Sequence, residues 1–194
     1  DPVEAGLVES LDAPGGSMTG STDATDVEGQ IDMLLKVVPS AKTVGIFYNS
    51  SEVNSEVQAN QANQALEAKG VKVEVATVTS TNDVQQTMTS LAAKVDAIYL
   101  PTDNTVASTA STIGEILQEA KVPAMGSDAA VIDATLFTYG VDYHAIGVQA
   151  GELAVKILKG DKPADLPVQK PNTAAVTVNE EMATALGFDA ETIK

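Results

Sequence analysis

The sequence contains no cysteine, no arginine and no tryptophan, and its single histidine is His144. Without cysteine there are no disulfides, thiolate nucleophiles or cysteine-ligated zinc sites, and one histidine cannot build a histidine metal cluster. Without arginine the planar guanidinium fork that grips carboxylates at two points is missing, so other donors must hold an anionic ligand. We therefore expect no metal and no other cofactor, although an all-carboxylate calcium site stays open.

Basic residues are also scarce. The 194 residues include 11 lysines against 27 acidic residues, which gives a net charge of -16. Such a charge repels the phosphates of nucleic acids and anionic lipid surfaces, so we expect no nucleic-acid partner. No apolar run is long enough to cross a bilayer, and the first residues, Asp1 to Glu4, lack the basic start and apolar run of a signal peptide. Either the chain is cytosolic or its export segment has been removed.

Apolar β-branched runs alternate with amphipathic patterns along most of the chain, which is typical of a parallel sheet covered by helices on both faces. With 44% hydrophobic residues the chain can bury a sizeable core. The sequence therefore predicts an α/β, flavodoxin-like, doubly wound parallel sheet. The predicted strands are 43–48, 71–78, 97–100 and 122–125, and the predicted helices are 26–38, 54–69, 81–93 and 105–120.

The pattern changes at both ends of the chain. Pro2 to Leu11 reads as a helix with no strand before it, and Pro14-Gly15-Gly16 follows as a turn. A doubly wound domain rarely opens in this way, so we expect the chain to start in the middle of a fold. Near the other end the sequence predicts a strand at 136–140, a helix at 146–158, a proline-containing link and a last strand at 174–178.

Polar loops follow three of the predicted strands, where ligands bind to open α/β sheets. The first loop, 49–55, offers hydroxyls, an amide and helix N-terminal N–H groups that can hold an anion without arginine. The second, 101–105, and the third, 126–128, each place a carboxylate at a strand end, and 139–143 adds an aromatic residue and an acid. Each loop taken alone is also explained by ordinary helix capping, which for the first loop is the favoured interpretation.

These loops carry a resemblance to a known family. The segments GIFYNSSEVNS, IYLPTDNTVAS, PAMGSD and TYGVDYHAIGVQAGELAVKIL, in this order, resemble the substrate-binding proteins of ABC transporters, in the family that includes tryptophan-binding and other amino-acid-binding members. The resemblance runs over nearly the whole chain. It implies a type I periplasmic-binding fold, in which two flavodoxin-like lobes joined by three crossovers hold the ligand between them.

The resemblance also implies a division of the chain. The second lobe is expected to be complete and the first lobe to be represented only in part, so the chain is expected to be a fragment. Links near 19–22, 134–141 and 167–172 are expected to act as hinges. The expected parts are the end of the first lobe with a crossover at 1–19, the second lobe at 20–134, a segment returning to the first lobe at 135–164, and the final crossover with the end of the second lobe at 165–194.

The positions that the resemblance places toward the ligand lie in the loops already described. An amino acid suits them, since its carboxylate could take donors at 51–55 while Asp103 or Asp128 balances its ammonium group. Sugar sites often stack rings on tryptophan, which is missing here. The expected ligand-binding residues are Ser51, Asn54, Ser55, Asp103, Asn104, Thr105, Asp128 and Asp142.

The function expected from the resemblance is capture of a small polar solute, an amino acid above all, for an ABC permease. The protein would then be extracytoplasmic, periplasmic or anchored as a lipoprotein, and not an enzyme. No GxGxxG, no GxxxxGK[ST] and no GxSxG motif occurs in the sequence. A ligand-sensing domain of a receptor or regulator uses the same fold and stays open. The fragment is expected either to self-associate through the apolar faces of 135–159 and of Pro2 to Leu11, or to fold the segment 135–159 back onto its own sheet.

Overall fold

A computed structural model describes residues 2–3, 5–171 and 174–194. Glu4, in the helix expected near the start, and Asn172, in the third expected hinge, lie outside the described residues. The strands are β1 (Thr43–Asn49), β2 (Lys72–Val78), β3 (Ala97–Leu100), β4 (Ala124–Gly126), β5 (Phe137–Val141) and β6 (Ala174–Val178). The α-helices are α1 (Val27–Val37), α2 (Val53–Ala68), α3 (Val84–Ala92), α4 (Asn104–Ser108), α5 (Ala110–Ala120), α6 (Tyr143–Leu158) and α7 (Glu180–Leu186).

The strands form one six-stranded sheet in the order β2-β1-β3-β4-β5-β6. The pairs β1–β2, β1–β3, β3–β4 and β4–β5 are all parallel. Because neighbouring strands run the same way, the ends of β1, β3 and β4 meet at one edge of the sheet, where each strand gives way to a loop. This is the mixed α/β fold with a mostly parallel sheet that the sequence predicts.

Helices cover both faces of the sheet, as a doubly wound plan requires. Successive residues of a strand point to opposite faces, so Ile98 packs with α3 and α5 while Tyr99 packs with α1 and α2. The first face buries Ile31 and Leu34 of α1, and the second buries Ile113 of α5. Two apolar cores therefore fix the sheet from both sides.

The start of the chain is a correction to the sequence analysis. The expected Pro2 to Leu11 helix is not formed in the described residues of that segment, which instead make turns. Gly6 takes the left-handed conformation, at φ +67°, and its N–H donates to the Val3 carbonyl over 2.9 Å. A left-handed residue interrupts a right-handed helix. The apolar spacing of this segment is therefore no guide to its structure.

Two further differences concern helix ends. The helix expected over 105–120 is divided at Thr109, whose backbone leaves helical geometry and separates α4 from α5. The helix expected at 146–158 begins three residues earlier, at Tyr143, because the Asp142 carboxylate accepts a hydrogen bond from the Ala145 N–H and caps it. Helix α7 near the end of the chain was not predicted.

The described residues fall into two compact units. The larger unit is 26–140 with 176–194, and it contains both apolar cores. The smaller unit consists of the described residues of 1–25 and 141–175, including α6. Strand β5 pairs with β4, Met125 opposite Phe137, and belongs to the larger unit up to Gly140.

Candidate solute-binding site

The three polar loops that follow β1, β3 and β4 are in contact with one another. The strands that precede them are neighbours in the sheet, and the Ser127 N–H donates to the Leu100 carbonyl over 2.9 Å. Below, the first loop is 49–55, the second is 101–105 and the third is 126–128. All three lie in the larger unit.

Thr102 joins the three loops. Its carbonyl accepts hydrogen bonds from Asn54 Nδ2 and from the Ser55 hydroxyl, both over 2.9 Å. Its own hydroxyl lies 3.0 Å from the Ser127 hydroxyl, and its N–H donates to Gln58 Oε1 over 2.8 Å. Gln58 belongs to the first turns of α2, so side chains of the first loop, of α2 and of the third loop converge on one residue of the second loop. The edge of the sheet is therefore a tied assembly rather than three independent loops.

The residues expected in the first loop have different positions. Ser51 and Asn54 are exposed, which leaves their side chains accessible to a solute. Ser55 is fully buried, and its hydroxyl is committed to Thr102. The buried Asn49, which was not selected from the sequence, supports the loop: its Oδ1 accepts from the Ser51 N–H, and its Nδ2 donates to the Thr105 hydroxyl, both over 2.8 Å.

Asp103 is buried at the base of the second loop. Its side chain is part of a residue only 3% exposed, and each oxygen accepts from a backbone N–H. Oδ2 takes the Asn49 N–H at 2.7 Å, and Oδ1 takes the Val106 N–H at 2.9 Å and thereby caps α4. In this structure Asp103 stabilises the loops, which is the capping role that the sequence left open beside the ligand-binding one.

Glu52 provides the tie that sequence reasoning missed. Its Oε2 accepts from the Asn104 N–H at 3.0 Å and from Asn104 Nδ2 at 2.9 Å. Its Oε1 accepts from the Thr105 N–H and the Thr105 hydroxyl, both at 3.2 Å. Burial by itself would raise the pKa of Glu52, but these four hydrogen bonds outweigh it and hold the pKa below its ordinary value. The expected ligand residues Asn104 and Thr105 are thus bound to a carboxylate of the first loop.

The remaining two expected acids cap other elements of the structure. Asp128, in the third loop, is partly exposed and accepts the Ala130 N–H at 2.7 Å, so it caps the short 3₁₀ turn 129–134. Asp142 lies in the smaller unit, where it caps α6. The structure therefore brings seven of the eight expected residues to one edge of the sheet, and it describes Asp142 in a separate unit.

A buried polar chain lies beneath the third loop. The hydroxyl of the fully buried Tyr99 donates to Gln30 Oε1, and Gln30 Nε2 donates to the Tyr139 carbonyl, both over 2.8 Å. Burial raises the pKa of Tyr99 far above its ordinary value, while a hydrogen bond with Ser127 acts in the opposite direction and is the smaller effect. The Tyr99 hydroxyl therefore stays protonated and remains the donor to Gln30.

One groove of the larger unit and two findings on the described residues lie outside the three loops. A surface groove of about 540 Å³ runs between β2 and α3 and shares no residue with the loops. In the part of the chain that the structure describes, no group of three acids or histidines could hold a metal ion. The same described residues contain no helix that is both long and apolar enough to cross a membrane.

The fold and the loops together define a class. A doubly wound sheet with polar strand-end loops that are tied to one another is the architecture of the periplasmic-binding fold, which the solved relatives share. The model of the family of ABC transporter substrate binding proteins matches residues 1–192. The chain belongs to this family, as the four sequence segments predicted.

Three similar proteins show what kind of protein the chain resembles. A tyrosine-binding protein of Clostridioides difficile is 34% identical over 187 residues, which are 96% of this chain and 54% of that protein. The ligand-free, open structure of a substrate binding protein with adhesive properties from Clostridium difficile is 38% identical, with a TM-score of 0.88 over 97% of this chain and 64% of the other. A Streptococcus pneumonia ABC domain in complex with L-Trp is 37% identical, with a TM-score of 0.83 over 100% of this chain and 66% of the other.

The match to these relatives is partial on their side. The chain spans about half the length of the curated tyrosine-binding relative and about two thirds of the two solved chains. The family of the chain is therefore shown, whereas the ligand and the function of the whole protein do not follow from these matches.

Proposed function

We propose that this chain is part of the solute-binding component of an ABC importer and that its solute is an amino acid, with aromatic amino acids the first candidates. One observation carries the proposal: the three polar loops are tied together at the carboxyl edge of the sheet in a family member whose relatives bind tyrosine or contain L-Trp. The partner that receives the solute would be the ABC permease, and the solute would be released chemically unchanged.

The first loop is the proposed place for the solute's carboxylate. Helix α2 begins at Val53, and the side chain of its N-cap residue, Glu52, makes no hydrogen bond to the helix's own first turn. The N–H groups of that turn carry the positive end of the helix dipole and suit an anion. The exposed Ser51 lies beside this turn and would add a hydroxyl donor, while the exposed Asn54 lies within the turn and its Nδ2 already donates to the Thr102 carbonyl.

The solute's ammonium group is proposed to meet Asp128. This carboxylate is partly exposed, whereas Asp103 is buried with both oxygens on backbone donors, so Asp128 is the more accessible acid. Asp103, Ser55, Asn104 and Thr105 are proposed to shape the site from behind or beside it. A ligand contact by Asp142 stays a prediction from the family resemblance.

The location and division of the protein are proposals as well. Family membership supports an extracytoplasmic protein, periplasmic or held as a lipoprotein at the cell surface. The larger unit is proposed to be the second lobe of a periplasmic-binding fold and the smaller unit to contain parts of the first lobe. We also propose that the exposed apolar side chains of α6 drive self-association of this chain.

Titration of L-tyrosine and L-tryptophan into the chain, followed by amide chemical shifts, tests the site. We expect saturable shifts concentrated at 51–55 and at Asp128, even where the affinity is only millimolar. Replacing Asp128 by Asn should weaken binding by about 1.5–3 kcal/mol, the usual worth of a charged hydrogen bond. Asp133→Asn, at the exposed end of the same 3₁₀ turn, is the matched control and should leave binding unchanged.

Two results would contradict the proposal. One is an absence of saturable shifts with any amino acid at millimolar concentration. The other is a set of shifts centred elsewhere, for example in the groove between β2 and α3.

A further inference from the structure

The Glu52 side chain lies at the start of α2 but binds the start of α4. Glu52 is the N-cap residue of α2, a position whose side chain ordinarily accepts from the N–H groups of its own helix. Here both carboxylate oxygens reach the first residues of α4 instead, with four donors between 2.9 and 3.2 Å. One side chain therefore both closes the start of α4 and leaves the start of α2 without a side-chain cap.

The contact is separate from those that fold the two loops. The buried end of the second loop is held by Asp103, which caps α4 through Val106 and binds the Asn49 N–H. Glu52 acts at the accessible end, where Asn104 is exposed and Thr105 is partly exposed. Loss of the Glu52 carboxylate should therefore loosen the spacing of the first and second loops without removing the buried cap on which the fold of this region depends.

We propose that Glu52 is a positioning residue for solute binding: it fixes the second loop against the first and keeps the first turn of α2 available to the solute's carboxylate. This inference rests on the proposed function, since it assumes that the solute binds at the first loop. Glu52 itself need not touch the solute.

Replacing Glu52 by Gln tests the proposal, because a charge effect and a positioning effect change the affinity for the solute in opposite directions. Removing a negative charge beside a bound carboxylate would, through charge alone, tighten binding. A positioning role predicts the opposite, because glutamine offers one acceptor oxygen where the carboxylate offers two. We expect Glu52→Gln to weaken L-tyrosine or L-tryptophan binding about tenfold, and to move the Asn104 and Thr105 amide resonances in the unliganded chain.

Glu56→Gln is the matched control. Glu56 is exposed and lies in the first turn of α2. Its replacement by Gln removes the same charge from the same end of the helix. It should leave the Asn104 and Thr105 resonances in place, with affinity unchanged or slightly increased.

A double-mutant cycle with Asn104→Ala provides a second measurement, and Asn104→Ala alone tests the same contact from its other partner if Glu52→Gln folds poorly. Asn104→Ala removes one of the four donors and keeps the backbone of α4. If the two side chains act through one contact, the combined loss of affinity should be smaller than the sum of the single losses. Additive losses, or a Glu52→Gln chain that binds as tightly as the unchanged one, would overturn the positioning role. Absence of amino-acid binding in the unchanged chain would instead contradict the proposed function, and it is measured first.

Discussion

Helices α1 and α6 start in the same way and are buried very differently. Each follows an aspartate whose carboxylate accepts the N–H three residues on, Asp26 from Gly29 at 3.0 Å and Asp142 from Ala145 at 3.1 Å. Yet Ile31 and Leu34 of α1 are fully buried. In α6 the buried residue is Leu153, while the apolar side chains at 148, 155, 157 and 158 are between 37% and 86% exposed.

This difference shows that helix formation has local causes, whereas the burial of a helix has tertiary causes. A cap and an apolar spacing determine that a helix forms, and both helices possess them. Burial depends on the surface that packs against the helix, and α1 has the sheet of the larger unit. In the smaller unit the described residues cover only one stripe of α6. Four measurements can sharpen or break this comparison.

The largest expected effect comes from a matched pair of leucines. Leu34→Ala in α1 removes a fully buried side chain and should lower the free energy of unfolding by about 2–5 kcal/mol. Leu158→Ala in α6 removes a side chain that is 86% exposed and should change it by no more than about 0.5 kcal/mol. Urea unfolding followed by circular dichroism gives both values. A large loss for Leu158→Ala would mean that this side chain is covered in solution.

A second effect concerns association. If α6 drives self-association, each apolar side chain that becomes buried contributes about 1.5–3 kcal/mol. The double replacement Val155→Ser and Leu158→Ser should then weaken association tenfold or more, measured by sedimentation or light scattering. The control is Val57→Ser with Val75→Ser, which removes two exposed valines of the larger unit. Equal weakening by both pairs, or an unchanged chain that is monomeric at high concentration, would exclude α6 as the interface.

The caps should give a smaller effect that is the same in both helices. Replacing Asp26 or Asp142 by Ala removes one acceptor from the first turn of α1 or α6, at a cost of about 1 kcal/mol. Native-state hydrogen exchange at Gly29 and Ala145 measures the two losses separately. A cost several times greater at Asp142 than at Asp26 would show that the Asp142 side chain has a tertiary role beyond capping.

The smallest effect is the titration of Glu52, an N-cap residue whose carboxylate serves a distant helix instead of its own. The pKa of Glu52 is lowered in the folded chain, so its contribution to stability is complete above the ordinary glutamate pKa and is lost as the pH falls through the folded pKa. Carboxyl resonances should therefore titrate at lower pH for Glu52 than for a glutamate in an unfolded peptide of the same sequence. A higher midpoint for Glu52 would contradict the four hydrogen bonds.

The sequence predicted the elements that depend on periodicity. The β-branched runs at 43–48 and 97–100 became buried strands, and the stripe of Ile31 and Leu34 became the buried face of α1. The described residues between Pro2 and Leu11 have a similar apolar spacing but form turns. Gly6 adopts the left-handed conformation there, and the spacing of apolar residues does not predict that conformation.

The site was predicted less completely. Topology placed the three loops at one edge of the sheet, since carboxyl ends of parallel strands meet there. The roles of individual side chains depend on partners far along the chain: Asp103 holds Asn49, and Glu52 holds Asn104, 52 residues away. Local sequence patterns do not predict hydrogen bonds between residues so far apart along the chain. Gln58 is harder still, because a single polar residue inside a helix gives no signal that it faces a loop.

The placement of β6 has a consequence for the order in which the protein is made. Strands β1 to β5 are consecutive along the chain apart from their helices, but β6 joins the edge of β5 only after the ribosome has added residues 142–173. Until β6 has joined it, β5 is an open edge of the sheet, and open edges pair readily with other strands. Docking of β6 therefore covers the β5 edge, and a delay in that step would favour association between partly folded chains.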